Sequence, residues 1–271
     1  MSSRNVWVCI TAIGNHHYHD AAKITLRSVL RNCPFPVFLG VDTPERPYWA
    51  EHPRVITELL PQWDSVLGRP AFLAKFTTLS RLVAQHPDAY ILQLDADTLL
   101  VDELSCKDIR NQLRDHPFAM LEQTTIKGSS NDRNFFLNHY INHTMVWFGG
   151  NTKAPPVEKF QYFNSGVVLS TGPIMLTFLE WCTSVIERKP NHHRVGRHMI
   201  ADQDYFQYWL NTLHPGQCNT LPWYWNHCEH WHDSFPKPGT LICHFSNFCN
   251  GPDIDTVNRM HALLESGLPA P

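Results

Sequence analysis

Short apolar runs and amphipathic stretches alternate along the first hundred residues. Continuous apolar runs predict buried strands at residues 6–13, 36–41 and 90–94, because strands covered on both faces carry apolar side chains at successive positions. Between them, apolar residues recur at helical spacing and predict helices over residues 20–31 and 71–85. This alternation is typical of an α/β fold in which helices flank a mainly parallel central sheet.

The second half of the chain carries a similar but less regular pattern. Residues 44–69 are rich in Pro and Trp and predict a loop with short helices, while residues 122–160 are polar and predict irregular structure. Further elements are expected as strands at 163–170 and 240–245 and as helices at 173–188, 201–212 and 253–266. Because no internal repeat is present, we expect the two halves to share one sheet in a single domain over residues 1–271.

Composition excludes several classes of protein. The chain has 271 residues, of which 43% are apolar and only 17% are charged, and its net charge is −3. Abundant aromatic residues with so few charges are the opposite of the composition of disordered chains. The absence of a positive net charge argues against a nucleic-acid binder, and no nucleic-acid partner is expected.

The cysteines and the apolar runs predict a compartment. The eight cysteines form no C-x-x-C pair, and most lie within apolar runs, where a free thiol behaves as a small apolar group. Residues 4–13 are better explained as a core strand than as a signal peptide, and no apolar run reaches the ~20 residues of a membrane span. We therefore expect reduced cysteines, no transmembrane segment and a cytoplasmic protein; disulfide pairing in a secreted chain is the alternative.

Two carboxylates follow the third predicted strand. Asp95 and Asp97 are separated by Ala96 at the carboxyl end of that strand, which is the edge where parallel α/β sheets bind ligands. Two acids at this spacing can reach one hard cation, and oxygen ligands with water suit Mg²⁺ or Mn²⁺. An acidic turn without a ligand is the structural alternative.

Three other groups carry candidate chemistry. His244 ends the last predicted strand, where an imidazole added to carboxylates would favour Mn²⁺; a core or capping histidine is the alternative. Lys75 lies on the helix before the D-x-D strand and is either a diphosphate ligand or a solvated lysine. The Asp202-Gln203-Asp204 element stands at a predicted helix start, where capping alone would also favour acids.

Taken in order, these motifs resemble those of glycosyltransferase family 8, the group of glycogenin and the lipopolysaccharide galactosyltransferases. The resemblance covers most of the chain and rests on six elements in the family's order. They are Lys75 in AKFTTLSRL, the strand YILQLDADTLLVDEL, the F-N-S-G of residues 163–166, the D-Q-D of residues 202–204, Leu221-Pro222 followed by Asn226, and His244-Phe245. The implied fold is a single GT-A domain, which is Rossmann-like, with a nucleotide-sugar half at about 1–121 and an acceptor and metal-completing half at about 122–271.

The resemblance implies a role for each matching residue. Asp95, Asp97 and His244 would bind Mn²⁺, or Mg²⁺, which bridges the diphosphate of a nucleotide sugar. The resemblance implies that this donor is a UDP-sugar. On the donor, Asn164 and Asp202 would bind sugar hydroxyls, and Gln203 would lie near the anomeric carbon. The remaining donor-binding residues would be Thr11, Ala12, Ile13, Lys75, Ala96 and Ser165. The family retains anomeric configuration, either by front-face attack or through a covalent intermediate.

One part of the family pattern is missing. After H-F the family carries a lysine that holds the diphosphate, whereas residues 246–252 read SNFCNGP. Either Lys237 or Arg259 would substitute, or the donor is held differently. A non-catalytic carbohydrate- or nucleotide-binding protein is therefore an alternative to the enzyme. A sugar nucleotidyltransferase is a weaker one, because the loop after the first strand lacks the Gly/Arg-rich triphosphate motif.

The aromatic and histidine-rich stretch at residues 222–235 has two interpretations. Trp223, Trp225 and Trp231 would form a sugar-stacking wall for the acceptor, or would simply be core residues. A zinc site at residues 227–232 is not expected, because the spacing of His227, Cys228, His230 and His232 matches no standard finger. Of His16, His17 and His19, at most one is expected to touch the nucleotide. The acceptor, whether glycan, protein, lipid or polyol, is not indicated by any motif.

Overall fold

The structure is a computed structural model. It describes residues 5–43, 51–60, 73–123, 133–149, 153–189, 193–229, 235–245 and 252–267.

Twelve strands occur in the described residues. In chain order they are β1 Val6–Ala12, β2 Val37–Val41, β3 Val55–Leu59, β4 Tyr90–Leu94, β5 Thr98–Leu100, β6 Phe118–Glu122, β7 Phe163–Thr171, β8 Arg194–Val195, β9 His198–Met199, β10 Cys218–Thr220, β11 His227–Cys228 and β12 Ile242–His244.

The α-helices of the described residues are α1 His16–Asn32, α2 Ala74–Gln85, α3 Cys106–Leu113, α4 Arg133–His139, α5 Val146–Phe148, α6 Gly172–Arg188, α7 Asp202–Tyr208 and α8 Ile254–Ser266. Turns of π-helix over Tyr140–Met145 and Trp209–Leu213 continue α4 and α7. Short 3₁₀ turns lie at Val157–Lys159 and Trp223–Trp225. None of the helices described is both long and apolar enough to cross a membrane.

Seven strands form a mainly parallel sheet in the order β10-β6-β7-β4-β1-β2-β3. The pairs within β4-β1-β2-β3 are parallel, as is the pair of β10 with β6. Strand β7 is antiparallel to both of its neighbours, β4 and β6. Because of this reversal, the start of β7 lies at the same edge of the sheet as the ends of β1 and β4.

Helices cover both faces of this sheet. Alternate side chains of β1 enter different cores, with Trp7 and Cys9 on one face and Val8 and Ile10 on the other, as the two-residue period of a strand requires. Helices α2, α6 and α7 fill the first face, while α1 and α3 fill the second, and α8 packs outside α1. The predicted α/β fold with a mainly parallel central sheet is therefore confirmed.

A second sheet, of three strands, joins distant parts of the chain. Its order is β11-β12-β5, and β12 pairs antiparallel with β5 so that His244 lies opposite Thr98. This pairing brings the C-terminal strand beside the D-x-D turn.

Most of the predicted elements are confirmed, with boundaries shifted by a few residues. Helix α1 begins at His16, earlier than predicted, because the Asn15 side chain accepts hydrogen bonds from the backbone N–H groups of His17 and Tyr18. The predicted helix over 201–212 ends as α7 at Tyr208 and continues as π-helix. Helix α3 and the short strands β5, β6 and β8 to β11 were not predicted from the sequence.

Two predictions of irregular structure were wrong where the structure describes them. Residues 55–59, expected in a loop, form the edge strand β3, which is only partly buried and therefore lacks the continuous apolar run of the inner strands. Residues 133–148, expected to be irregular, form α4, the following π-turn and α5. Tyr140 and Met145 of this segment pack with Phe160 and Tyr162 in a separate small core, and Thr144 is also buried.

Candidate active site

The candidate site lies at the edge of the sheet where β1 and β4 end and β7 begins. Asp95 follows β4 directly, and its backbone N–H donates to the carbonyl of Gly166 in β7 at 2.9 Å. The D-x-D turn and the F-N-S-G segment are thereby held side by side. This edge is the one at which parallel α/β sheets place their ligand-binding groups.

All three predicted metal ligands converge there. One ligand atom each from Asp95, Asp97 and His244 lies within 4.8 Å of the other two, and His244 Nε2 is 3.5 Å from Asp97 Oδ1. The backbone N–H of Phe245 donates to the Asp97 carbonyl at 2.9 Å, which fixes the position of β12. Neighbouring ligand atoms of an octahedral divalent cation are about 3 Å apart, so small side-chain shifts suffice to bind one. Two carboxylates and an imidazole fit Mn²⁺ or Mg²⁺.

The orientation of His244 is set by hydrogen bonds to its other ring nitrogen. His244 Nδ1 lies 3.0 Å from Asn226 Oδ1 and 3.2 Å from Cys228 Sγ. Since an amide oxygen only accepts, the bond to Asn226 requires the proton on Nδ1. Nε2 therefore faces Asp97 and the position of the cation, and once it has lost its own proton its lone pair is directed there, as is usual for a metal-binding histidine.

Gly166 makes room for this imidazole. A Cβ atom at residue 166 would lie 2.1 Å from His244 Cε1, much closer than any normal contact. The glycine of the F-N-S-G segment is therefore required by the close approach of His244 to the β7 backbone, and no positive φ is involved.

Asn226 connects the metal side of the site with the sugar side. Its amide nitrogen donates to Asn164 Oδ1 at 2.7 Å, and the same Asn164 oxygen accepts the backbone N–H of Gly166 at 2.9 Å. The sequence placed Asn226 in a motif without giving it a role. Its buried position between two predicted site residues now indicates one.

Lys75 is paired with acids inside the site. Its ammonium group lies 2.6 Å from Asp95 Oδ1 and 2.6 Å from Asp202 Oδ2, and the side chain is 8% exposed. The solvated-lysine alternative is therefore wrong. The ammonium group therefore holds Asp95 and Asp202 together. Two of its three protons are directed at these carboxylates, which leaves one proton for another acceptor.

Gln203 lies beside the F-N-S-G segment. Its side-chain oxygen is 3.3 Å from the backbone nitrogen of Ser165 and 3.4 Å from Asn164 Nδ2. Asp202, one residue earlier, is buried at the first turn of α7. The structure thus brings together Lys75, Asn164, Ser165, Asp202 and Gln203.

The charges of the site favour a bound cation. Burial raises the pKa of Asp95. The Lys75 ammonium group lowers this pKa, whereas the carboxylates of Asp202 and Asp97 raise it further. Burial opposes ionisation of Asp97 as well, but His244 holds the pKa of Asp97 below its usual value. A divalent cation would neutralise this group of closely spaced acids.

The predicted nucleotide-binding residues lie at the end of β1. Thr11 donates its hydroxyl proton to the Thr78 hydroxyl at 2.8 Å, whereas Ala12 and Ile13 are buried. Ala96 is also buried, and its carbonyl accepts the Thr25 hydroxyl at 2.7 Å. The end of β1 lies at the same edge of the sheet as the D-x-D turn, and of these four predicted residues Thr11 is partly exposed while the others are buried.

Sequence reasoning missed two residues at this edge. Asp42, directly after β2, accepts the backbone N–H of Gly14 at 2.9 Å and lies 3.0 Å from His19 Nε2, so it fixes the loop between β1 and α1. Burial raises the pKa of Tyr18 to about 12, and Asp97 and Asp95 contribute in the same direction. Neither residue belongs to a motif, and only their position after a predicted strand pointed to them.

Two tryptophans of the predicted acceptor wall, Trp223 and Trp225, lie within the described residues. Trp225 is 1% exposed and belongs to the core, so it has no ring face free for a sugar, and its expected stacking role is wrong. Trp223 is half-buried, with Lys237 Nζ 4.8 Å from its ring centre. Trp231 lies outside the described residues.

The two cations proposed to replace the family lysine have other partners. Lys237 lies against the Trp223 ring, and Arg259 forms an ion pair with Glu229. Residues 246–251, where the family lysine would stand, lie outside the described residues. In the histidine-rich stretch, His227 Nδ1 contacts the Thr240 hydroxyl at 2.9 Å while Cys228 contacts His244, and His230 and His232 are not described.

Comparison with solved structures identifies the class of fold: this is the GT-A fold of glycosyltransferases. The galactosyltransferase LgtC, solved with donor and acceptor sugar analogues, matches 98% of this chain and 97% of its own at 14% identity and a TM-score of 0.57. An active-site Gln-to-Glu mutant of LgtC matches at 13% identity, with a TM-score of 0.58 and the same coverage. The bifunctional glycosyltransferase WbbM matches 98% of this chain and half of its own at 15% identity and a TM-score of 0.57.

No protein-family model and no curated protein matches the sequence. Since identities of 13–15% establish the fold alone, the activity must be argued from the site.

Proposed function

We propose that the chain is a Mn²⁺-dependent, retaining glycosyltransferase that moves a sugar from a nucleotide-sugar donor, UDP-linked, to an acceptor hydroxyl. The observation that carries this proposal is the convergence of Asp95, Asp97 and His244 beside Asn164 and Gln203 at the ligand edge of a GT-A sheet. A metal group next to hydrogen-bonding side chains is what transfer from a sugar diphosphate requires. The LgtC complex with donor and acceptor sugar analogues supports the same reaction class.

Asp95, Asp97 and His244 would hold the cation, and Asn226 keeps the His244 lone pair directed at it. When bound, the cation supplies neutralisation of the negative charge that develops on the departing diphosphate. Lys75 favours the ionised form of Asp95 against the effect of burial and fixes its carboxylate in place. The protein thereby presents a preformed acidic group that needs little rearrangement on binding.

The sugar would lie against Asn164, Asp202 and Gln203. Lys75 holds Asp202, and Asn226 holds Asn164. The side chains of Asp202 and Asn164 are thereby fixed where they would form hydrogen bonds with sugar hydroxyls. Gln203 would face the anomeric carbon. The bond from this carbon to the diphosphate oxygen breaks with its electron pair leaving on that oxygen. The acceptor oxygen then bonds to the same face and releases its proton to the diphosphate. An active-site glutamine in LgtC parallels the role given to Gln203.

Several finer features belong to the same proposal. Because the metal ligands come from residues 95–97 and 244, both halves of the chain contribute to one site, which favours a single domain over residues 1–271. The acceptor, a glycan, protein, lipid or polyol, would approach from Trp223 and the 133–148 helices. Reduced cysteines fit a cytoplasmic location, and none of the seven cysteines within the described residues forms a disulfide with another of them.

The decisive experiment is donor turnover by the purified chain. A panel of nucleotide sugars is incubated with Mn²⁺, Mg²⁺ or EDTA, and released nucleotide and sugar are measured. We expect slow Mn²⁺-dependent hydrolysis of one preferred donor. If this donor is α-linked, NMR should detect the α-anomer of the released sugar first, because the configuration is retained. Asp97→Asn and Gln203→Ala should lower the rate by at least about 10²-fold. The exposed Asp115→Asn is the matched control and should leave it unchanged.

The alternatives give different results in the same assay. Mn²⁺-dependent nucleotide binding without hydrolysis, and without transfer on a glycan array, would indicate a non-catalytic binding protein. Release of pyrophosphate from a nucleoside triphosphate and a sugar phosphate would indicate a nucleotidyltransferase. Failure of every donor to bind with any divalent cation would reject the proposal.

A further inference from the structure

A second group of metal-ligating side chains lies behind the Asp202-Gln203 segment. One ligand atom each from His139, His198 and Asp204 lies within 4.8 Å of the other two. Asp204 points away from the candidate active site, because its carboxylate contacts Thr144, Ala201 and His198 instead of Lys75. The two groups are therefore separate, although they share helix α7.

A third imidazole stands beside this group. The His143 ring centre lies 4.8 Å from that of His139 and 4.8 Å from that of His198. His139 and His143 are four residues apart across the junction of α4 and the π-helical turn, so both rings lie on one side. His143 Nδ1 is buried and has no hydrogen-bond partner among the described residues.

The spacing suits a tetrahedral cation. His198 Nε2 lies 3.3 Å from Asp204 Oδ2, and neighbouring ligands of a tetrahedral Zn²⁺ with bonds of about 2.0–2.1 Å are about 3.3–3.5 Å apart. A hydrogen bond alone would also explain this single distance. It would not explain why His139 also brings a ligand atom within 4.8 Å of both groups, or why the His143 ring lies beside the rings of His139 and His198.

The carboxylate is already oriented as that of a metal ligand. The Thr144 hydroxyl donates to Asp204 Oδ1, and the Ala201 backbone N–H donates to Oδ2 at 2.9 Å. Such outer hydrogen bonds are what fix the carboxylate ligands of metal sites.

We propose that His139, His198 and Asp204, with His143 or water as the fourth ligand, bind a Zn²⁺ ion. Imidazole nitrogens together with one carboxylate form a ligand set that is typical of Zn²⁺, whereas Mg²⁺ prefers oxygen ligands. This ion is separate from the Mn²⁺ proposed at Asp95 and Asp97, where oxygen ligands predominate.

The ligands join three segments of the chain. His139 and His143 come from the 133–148 helices, His198 from the β8–β9 hairpin and Asp204 from helix α7. A closed zinc site would hold the hairpin and the helices against α7, one residue from Gln203. Its role is therefore structural, and it steadies the side of the site where the acceptor would approach.

The test measures Zn²⁺ binding by the full chain and needs no sugar donor. To remove the first site, the background variant carries Asp97→Asn and His244→Gln. We expect this variant to bind one Zn²⁺ per chain by equilibrium dialysis and metal analysis. Adding His139→Gln and His198→Gln should weaken this binding by about 100-fold, whereas adding His261→Gln, an exposed histidine on α8, should not change it.

Two further measurements separate ligand loss from misfolding. His198→Cys in the background variant should retain Zn²⁺, because a thiolate can replace the imidazole, and Co²⁺ in this protein should give the visible spectrum of a tetrahedral site with a thiolate. Zinc-free thermal unfolding should be similar for the His198→Gln and His198→Cys proteins. Equal zinc affinity with and without His139 and His198 would overturn the proposal, as would no binding by the background variant. Neither result would bear on the proposed glycosyltransferase activity, which the donor-turnover experiment tests separately.

Discussion

The imidazole of His244 occupies the space that a side chain at Gly166 would need. The two residues come from different sheets, and their contact closes the candidate metal group against the first residues of β7. The position of the histidine is thus set by a missing side chain as much as by its own hydrogen bonds.

Gly166→Ala is expected to displace His244. The new Cβ would lie 2.1 Å from His244 Cε1, and overpacking of this kind costs about 1–3 kcal/mol of unfolding free energy. Mn²⁺ affinity should fall by about 10–100-fold, the usual effect of disturbing a metal-binding histidine. Urea unfolding without metal and calorimetric Mn²⁺ titration measure the two effects.

The double variant Gly166→Ala/His244→Ala is the control for this prediction. Removing the imidazole relieves the contact, so the double variant should recover part of the unfolding free energy lost in Gly166→Ala. Mn²⁺ binding should stay weak in both. If Gly166→Ala binds Mn²⁺ like the wild type, His244 is not a ligand in the way proposed.

Asn226→Leu is expected to weaken Mn²⁺ binding without removing a ligand. The change deletes the acceptor for His244 Nδ1 and the donor to Asn164. We expect a loss of about 10–100-fold in metal affinity. Asn219→Leu, which removes a hydrogen bond to the Gln112 carbonyl far from the site, is the matched control. Equal effects of the two substitutions on Mn²⁺ titrations would contradict the proposed role of Asn226.

Lys75→Met is expected to destabilise the metal-free protein. Asp95 and Asp202 would lose their shared cation, and leaving buried charges unpaired costs about 3 kcal/mol. Adding Asp202→Asn removes one of these charges and should restore part of the loss, which denaturant unfolding would show. Additive destabilisation in the double variant would mean that the two ion pairs contribute little.

Mn²⁺ binding should strengthen as the pH rises. Burial alone would lower the pKa of His244, but contacts with Cys228 and Asp97 raise it well above its ordinary value near 6.5. Below that raised pKa a proton must leave before Nε2 can bind a cation, so affinity should fall by up to about tenfold per pH unit. The effect on folding is opposite, because the His244–Asp97 pair stabilises the metal-free protein below the unfolded pKa and is lost as the pH rises through the folded one.

His244→Gln provides the comparison for the pH experiment. This variant cannot bind a proton at residue 244, so its weaker Mn²⁺ affinity should change less steeply over the same pH range. Calorimetric titrations in buffers of different ionisation enthalpy would also show proton release by the wild type alone. Parallel pH profiles for the two proteins would show that another group controls metal binding.

Strands β1, β2, β4 and β7 could be predicted because each carries a continuous apolar run, whereas the inner strand β6 was not predicted. The direction of β7 could not, since FNSGVVLST reads the same whether the strand runs parallel or antiparallel to β4. The short strand β5 was also hidden, because Thr98–Leu100 extends the apolar run of β4 beyond the acidic turn. Direction and sheet assignment depend on pairing between distant segments, which no local pattern encodes.

The candidate site was predicted in its residues but not in their contacts. Asp95, Asp97 and His244 were expected together and lie together. The double pairing of Lys75 depends on the packing of α2 against α7, and Asn226 gains its role only where β11 meets β12. Trp225 shows the converse, because its place in an aromatic motif suggested a binding surface while its packing made it core.

The pairing of β12 with β5 has a consequence for the order in which the protein is made. During synthesis the acidic turn leaves the ribosome long before His244 exists, and late contacts between distant segments form slowly. A chain truncated before β12 would therefore carry both acids without a closed site. Tight cation binding would begin only when the C-terminal strand has docked. Binding of the ion would therefore indicate that folding is complete.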